Sequence, residues 1–235
     1  MDDAVTDLDF RPRPTAERPL SGLTLLVVED SRHASEAMRL LCLRSGARIR
    51  RADCIASAER HLNVYRPSAA IVDLGLPDGS GLDLIGKMAG LQPRVPIILG
   101  TSGAEREAAA RDAQRAGADG FLSKPVASLA AFEAALLAHM PDGRRPKHPR
   151  PADASAPRPD MLAYREDLTH AMDLLALDTP PVGYLRRFLL GVARGARDDG
   201  LEARATGMTE GITPGERSTL RHYLSDRIRA LPAAI

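Results

Sequence analysis

From Leu23 onward the chain alternates short, fully apolar runs with longer amphipathic stretches. Residues 23–28 are followed by 34–43, residues 69–74 by 82–88, residues 95–99 by 105–116, and residues 120–122 by 129–140. Apolar runs of strand length separated by segments of helical length predict buried parallel strands joined by crossover helices. The pattern implies a doubly wound α/β domain over residues 21–141. The regularity stops at Pro141, where Pro141, Pro146, Pro149, Pro151, Pro157 and Pro159 crowd into residues 141–159. Such a segment cannot hold a helix, so residues 142–159 read as a semi-rigid linker. Residues 1–20, with Pro12, Pro14 and Pro19 and no apolar period, read as a flexible tail.

Beyond the linker, apolar positions return at helical spacing with no strand signal. Met161, Tyr164, Leu168, Met172 and Leu175 step by three or four, as do Val182, Leu185, Leu189 and Val192, and then Leu220, Leu224, Ile228 and Leu231. Thr179-Pro180 reads as a capping hydroxyl ahead of a first-turn proline, Thr213 with Glu216 as a capping box, and Gly200 as a helix stop. Residues 160–235 are therefore expected to form a small unit of three or four helices.

Composition narrows the class. A chain of 235 residues, 44% apolar and 27% charged, has the balance of a soluble globular protein. No uninterrupted apolar stretch approaches the roughly 18 residues of a membrane helix. The first nine residues carry Asp2, Asp3, Asp7 and Asp9, where a secretory signal would be positive. A cytoplasmic protein with no membrane partner is expected. Cys42 and Cys54 lack the spacing of a zinc or redox pair and read as buried small apolar residues.

The candidate chemistry sits where the apolar runs end. Glu29-Asp30 follows Val27-Val28, and Asp73 follows Ile71-Val72. In a parallel sheet the carboxyl ends of the strands share one edge, so three carboxylates are expected to meet there. Their mutual repulsion calls for a proton or a divalent cation, and an all-oxygen donor set suits Mg²⁺. Thr101 and Lys124 follow later apolar runs and place a hydroxyl and an ammonium at the same edge, suited to an added phosphate. Pro125 would aim Lys124 inward if its peptide bond were cis. His33, just after the acid pair, reads as part of a solvated helix start.

These residues, in order, resemble the receiver domain of two-component response regulators over roughly residues 21–141. The matching stretches are LLVVEDS, AAIVDLGLPDGSGLDLI, VPIILGTSG and AGADGFLSKP. The resemblance implies a flavodoxin-like fold with a five-stranded parallel sheet, succeeded here by the all-α unit. It further implies that Asp73 is the phosphoacceptor and that Glu29, Asp30, Asp73 and the Gly75 carbonyl hold Mg²⁺. Thr101 and Lys124 would contact the phosphoryl group, and Phe121 would reorient with Thr101. The donor would be a sensor histidine kinase or phosphotransfer protein, and the domain a phosphoacceptor rather than a turnover enzyme.

The output of the switch is less legible. The net charge of +1 divides into −2 for the tail, +1 for residues 21–141, +3 for the linker and −1 for residues 160–235, which carry ten Arg, no Lys and eleven acids. A DNA-reading helix needs clustered cations, so the charge favours a helical interaction or dimerisation module. The alternative is a DNA-binding regulator with a divergent helical output and the basic linker as its phosphate anchor.

Overall fold

The structure, a computed structural model, describes residues 13–103, 106–141, 143, 145–146, 161–209 and 211–232. The tail through residue 12, and Arg144, Lys147, Arg150 and Arg158 of the basic linker, lie outside the described residues.

Five parallel strands form one sheet in the order β2-β1-β3-β6-β7: β1 (Thr24–Val28), β2 (Arg48–Ala52), β3 (Ala69–Asp73), β6 (Ile98–Ser102) and β7 (Gly120–Ser123). Successive side chains of a strand point to opposite faces, and both faces here are covered. Leu25 and Val27 of β1, with Ala69 and Ile71 of β3, join Met38, Leu41 and Cys42 of α1 (Arg32–Arg44) and Leu129, Phe132 and Leu136 of α5 (Leu129–Leu137). Leu26, Val28, Ala70 and Val72 face the other way. They pack with Leu62 of α2 (Ile55–Val64), Leu84, Ile85 and Met88 of α3 (Gly81–Gly90), and Ala113 of α4 (Arg106–Ala116). Burial on both faces is why the inner strands read as unbroken apolar runs.

Two elements escape the apolar pattern. β2, with the sequence RIRRA, is the sheet edge; Arg48, Arg50 and Arg51 are exposed, and Arg51 lies 3.6 Å from Glu36. An edge strand that displays charge needs no apolar run and discourages pairing with other chains. The hairpin of β4 (Gly75–Leu76) and β5 (Gly79–Ser80) comes directly after β3. Leu20 is fully buried in the first core cluster, although it falls in the stretch read as tail.

Among the described residues the second unit has four helices: α6 (Met161–Ala176), α7 (Val182–Ala196), α8 (Asp199–Thr206) and α9 (Pro214–Ala230). Tyr164, Leu168, Leu175, Leu185, Leu189, Val192, Leu201, Leu220 and Leu224 close its core. Thr213 and Glu216 form the expected capping box. Two other signals read differently in three dimensions. Gly200 lies inside α8, and α7 stops at Arg197, which takes a left-handed conformation (φ 56°). The residue ahead of α7 is Pro181, so Thr179 and Pro180 do not cap it.

Asp198, between α7 and α8, is buried and holds this unit together. Its carboxylate accepts hydrogen bonds from the Tyr164 hydroxyl at 2.6 Å, the Tyr223 hydroxyl at 3.0 Å, Arg227 Nε at 2.6 Å and the Leu201 N–H at 2.9 Å. Burial alone would raise its pKa, but these donors outweigh it and hold the carboxyl at about 2.

The two units are in contact through α6 and α7, which lie against α1. Asp167 of α6, 1% exposed, accepts from the Ser31 hydroxyl and the Arg32 N–H at 2.7 Å and from the His33 N–H at 3.0 Å. It thus satisfies first-turn donors of α1 that have no partner within that helix, and it places negative charge at the helix's positive end. His33, expected at a solvated helix start, is instead buried, its ring 5.9 Å from that of Tyr164. No helix among the described residues is long and apolar enough to cross a membrane.

Asp198→Asn should therefore destabilise the helical unit by roughly 2–3 kcal/mol, through loss of a buried charged acceptor, and calorimetry should show unfolding of the α/β domain little changed. Because the carboxyl's folded pKa lies below its unfolded value, its contribution is present above about pH 4 and fades as the pH falls through about 2. Asp167→Ala should speed hydrogen exchange at the Arg32 and His33 amides by about tenfold or more, as expected when a charged acceptor is removed from buried donors.

Candidate functional site

Parallel pairing brings the chemistry together. Val28 pairs with Val72, Asp73 with Thr101, and Ser102 with Ser123, so Glu29-Asp30, Asp73, Thr101 and Lys124 all leave the sheet at one edge. The loop after β3 depends on close backbone contact: a Cβ on Gly81 would lie 1.9 Å from the Asp73 carbonyl oxygen. Only glycine allows α3 to start against the strand end that carries Asp73.

Glu29, Asp30 and Asp73 each bring a carboxylate oxygen within 4.8 Å of the others. Lys124 Nζ lies 2.5 Å from Glu29 Oε2 and 2.6 Å from Asp73 Oδ2, and all three side chains are largely buried. The Lys124–Pro125 peptide bond is cis. The Gly75 N–H donates to Asp73 Oδ1 at 3.2 Å. Burial, opposed by Lys124 and reinforced by repulsion from Asp73 and Asp30, pushes Glu29 up to about 8. Burial and repulsion from Asp73 likewise raise Asp30 to about 6, against the pull of Lys124 and Tyr184. Lys124 moves up as well, because its three acidic neighbours outweigh its own burial.

One ammonium thus faces three carboxylates in a poorly solvated pocket, where burial first and mutual repulsion second raise Glu29 and Asp30 in spite of Lys124. A hard divalent cation is the standard partner for such a set, and all-oxygen donors fit Mg²⁺. The cluster opens onto a cleft of about 560 Å³, lined also by Gly75, Ser102 and Gly103. An ion and a small phosphorylated donor have room there.

Not every residue expected at the site points into it. Thr101 is buried and its hydroxyl donates to the Leu122 carbonyl at 2.6 Å, away from Asp73. Phe121 is half-buried against the second core cluster, close to Gly100, where an added Cβ would lie 3.3 Å from its ring.

The same edge holds residues from the helical unit that no local pattern marked. The Tyr184 hydroxyl donates to Asp30 Oδ2 at 2.6 Å, and Arg186, Arg187 and Arg194 line the cleft. Burial and the neighbouring Asp30 raise the Tyr184 pKa, so its hydroxyl stays a donor. In sequence these are the polar positions of an amphipathic helix, indistinguishable from a solvated face until the two units meet.

Residues 25–136 match the family model of the response regulator receiver domain. Among curated proteins, the virulence transcriptional regulatory protein PhoP of Shigella flexneri is 33% identical over 103 residues, covering 44% of this chain and 46% of that protein. The transcriptional regulatory protein PhoP of Escherichia coli (strain K12) is similar to the same extent. The chain thus spans about half the length of these relatives, and the family match ends before the helical unit begins. Among solved structures, a putative response regulator from Chloroflexus aurantiacus J-10-fl is similar with a TM-score of 0.43 and 28% identity, covering 44% of this chain and 86% of that one. A two-component response regulator from Clostridium difficile has a TM-score of 0.45 and 18% identity, covering 49% of this chain and 93% of that one. Residues 25–136 of this chain are a response regulator receiver domain of the kind used in two-component systems.

Proposed function

We propose that the chain is a phosphorelay response regulator in which Asp73 accepts a phosphoryl group from a histidine kinase or phosphotransfer protein and the helical unit carries the signal onward. The observation that carries this reading is the cluster of three carboxylates within 4.8 Å of one another with Lys124 paired to two of them. In the transfer, a carboxylate oxygen of Asp73 forms a bond to phosphorus as the P–N bond to the donor imidazole breaks, and the imidazole leaves with the electron pair. Glu29, Asp30, Asp73 and the Gly75 carbonyl would hold Mg²⁺. Bound there, the ion offsets the repulsion between the incoming phosphoryl group and the carboxylates. Lys124 supplies a fixed cation to the same charge. On this reading the Thr101 hydroxyl leaves the Leu122 carbonyl for a phosphoryl oxygen, and Phe121 reorients with Thr101. The domain is a phosphoacceptor, not a turnover enzyme, and works in the cytoplasm, where its donors reside.

For the output, a protein-interaction role of the helical unit is favoured over DNA binding. Most of its arginines are already engaged: Arg165 with the Leu231 and Pro232 carbonyls, Arg194 with Glu202, Arg217 with the Leu177 carbonyl, Arg227 with Asp198 and Arg229 with Asp226, while Arg204 stacks on Tyr223. Few remain for phosphates of a duplex.

Incubation with acetyl phosphate and Mg²⁺ should add one phosphoryl group in the intact mass spectrum, with none in Asp73→Asn or in the presence of EDTA; labelling that survives Asp73→Asn overturns the assignment. Lys124→Ala should slow labelling by about a hundredfold, the usual loss when one charge-stabilising donor is removed. Duplex DNA should remain unshifted at low salt while phosphorylation changes the sedimentation coefficient. A steeply salt-dependent shift would instead establish DNA binding.

A further inference from the structure

Helix α7 lies across the carboxyl edge of the sheet, and one of its faces meets the three loops that carry the site. Tyr184, Arg187, Gly191 and Arg194 are spaced three, four and three residues apart and so share that face. Tyr184 donates to Asp30, in the loop after β1. Arg187 lies beside Gly75, in the loop after β3, where a Cβ added to the glycine would come 3.4 Å from the arginine Nε. Gly191 packs on Gly103, and Arg194 donates to the Gly103 carbonyl, at the end of β6, the strand that carries Thr101.

Phosphorylation replaces the single negative charge of a carboxylate with nearly two and adds strong acceptor oxygens. Lys124 is already shared between Glu29 and Asp73. The other cations lining the cleft are Arg186, Arg187 and Arg194, all from α7. Arg194 is committed to Glu202 at 2.7 Å and to the Gly103 carbonyl, and Arg186 lies off the face that meets the loops. Arg187 makes no hydrogen bond or ion pair among the described residues, and it is exposed at the cleft next to the loop that comes after Asp73. A planar guanidinium is the side chain best matched to phosphoryl oxygens.

We propose that Arg187 is a phosphoryl-binding residue supplied by the helical unit, so that a phosphoryl group on Asp73 clamps α7 onto the receiver domain. This rests on Asp73 being the acceptor. The site is then composite, and phosphorylation tightens the contact between the units instead of releasing it.

The test uses the full chain with Mg²⁺ and beryllium fluoride, a phosphoryl analogue that carboxylates bind. Arg187→Ala should weaken the analogue by about tenfold or more, the value of one charge-assisted hydrogen bond, and Arg187→Lys should keep part of the affinity. Mg²⁺ affinity measured without the analogue should not fall in either variant. Arg187 is exposed on a helix and alanine favours helix, so the variant should fold. In the wild type the analogue should slow hydrogen exchange in α7 and at the start of α1, and in Arg187→Ala it should not. Analogue affinity unchanged in Arg187→Ala, or exchange in α7 that speeds up when the analogue binds, would refute the clamp. Asp73→Asn separates the two readings: if it binds the analogue like the wild type, the acceptor assignment fails, whereas its loss alongside an unaffected Arg187→Ala sinks the clamp alone.

Discussion

Three carboxylates and one ammonium, packed together at the end of a parallel sheet, set the terms for the rest of this molecule. Like charges at this spacing and burial are costly, and Lys124 offsets them only in part. Glu29 responds by moving up to about 8 and Asp30 to about 6. The sheet tolerates the arrangement because both of its faces are sealed by helices, which keeps the strand ends in register. Hydrophobic burial along the strands thus holds the acids where their electrostatics alone would push them apart.

The helical unit reaches the same region with hydrogen-bonding partners of its own. Asp167 sits on the amino-terminal end of α1, where free N–H donors face it, and Tyr184 bonds to Asp30. Each contact offers a hydrogen-bonding group something the receiver leaves over: unpaired helix donors in one case, a crowded carboxylate in the other. The units therefore meet beside the carboxylate cluster.

Much of the receiver was legible in the chain. The inner strands announced themselves because burial on two faces demands continuous apolar residues, and the acids and the lysine could be placed because parallel strands end on one edge. β2 was invisible to that pattern: it is the sheet edge, and its Arg48, Arg50 and Arg51 are exposed. α8 went unseen because eight residues with two buried positions show no period. Gly200 read as a helix stop, but the turn is made by Arg197 and secured by the bonds that Asp198 collects from α6, α8 and α9. Such a hub joins residues far apart in sequence and leaves no local mark.

By itself, then, the order of residues determined the doubly wound receiver, the carboxylates at its edge and the helical character of the unit beyond the linker, since each depends on periodicity or on short-range spacing. Tertiary structure alone decided which way Thr101 points, that His33 is covered, and that Tyr184 and the arginines of α7 stand over the acidic cluster. The physical reason is that a polar helix face looks the same in sequence whether it meets water or a charged partner. Only the fold brings that face to the carboxylates.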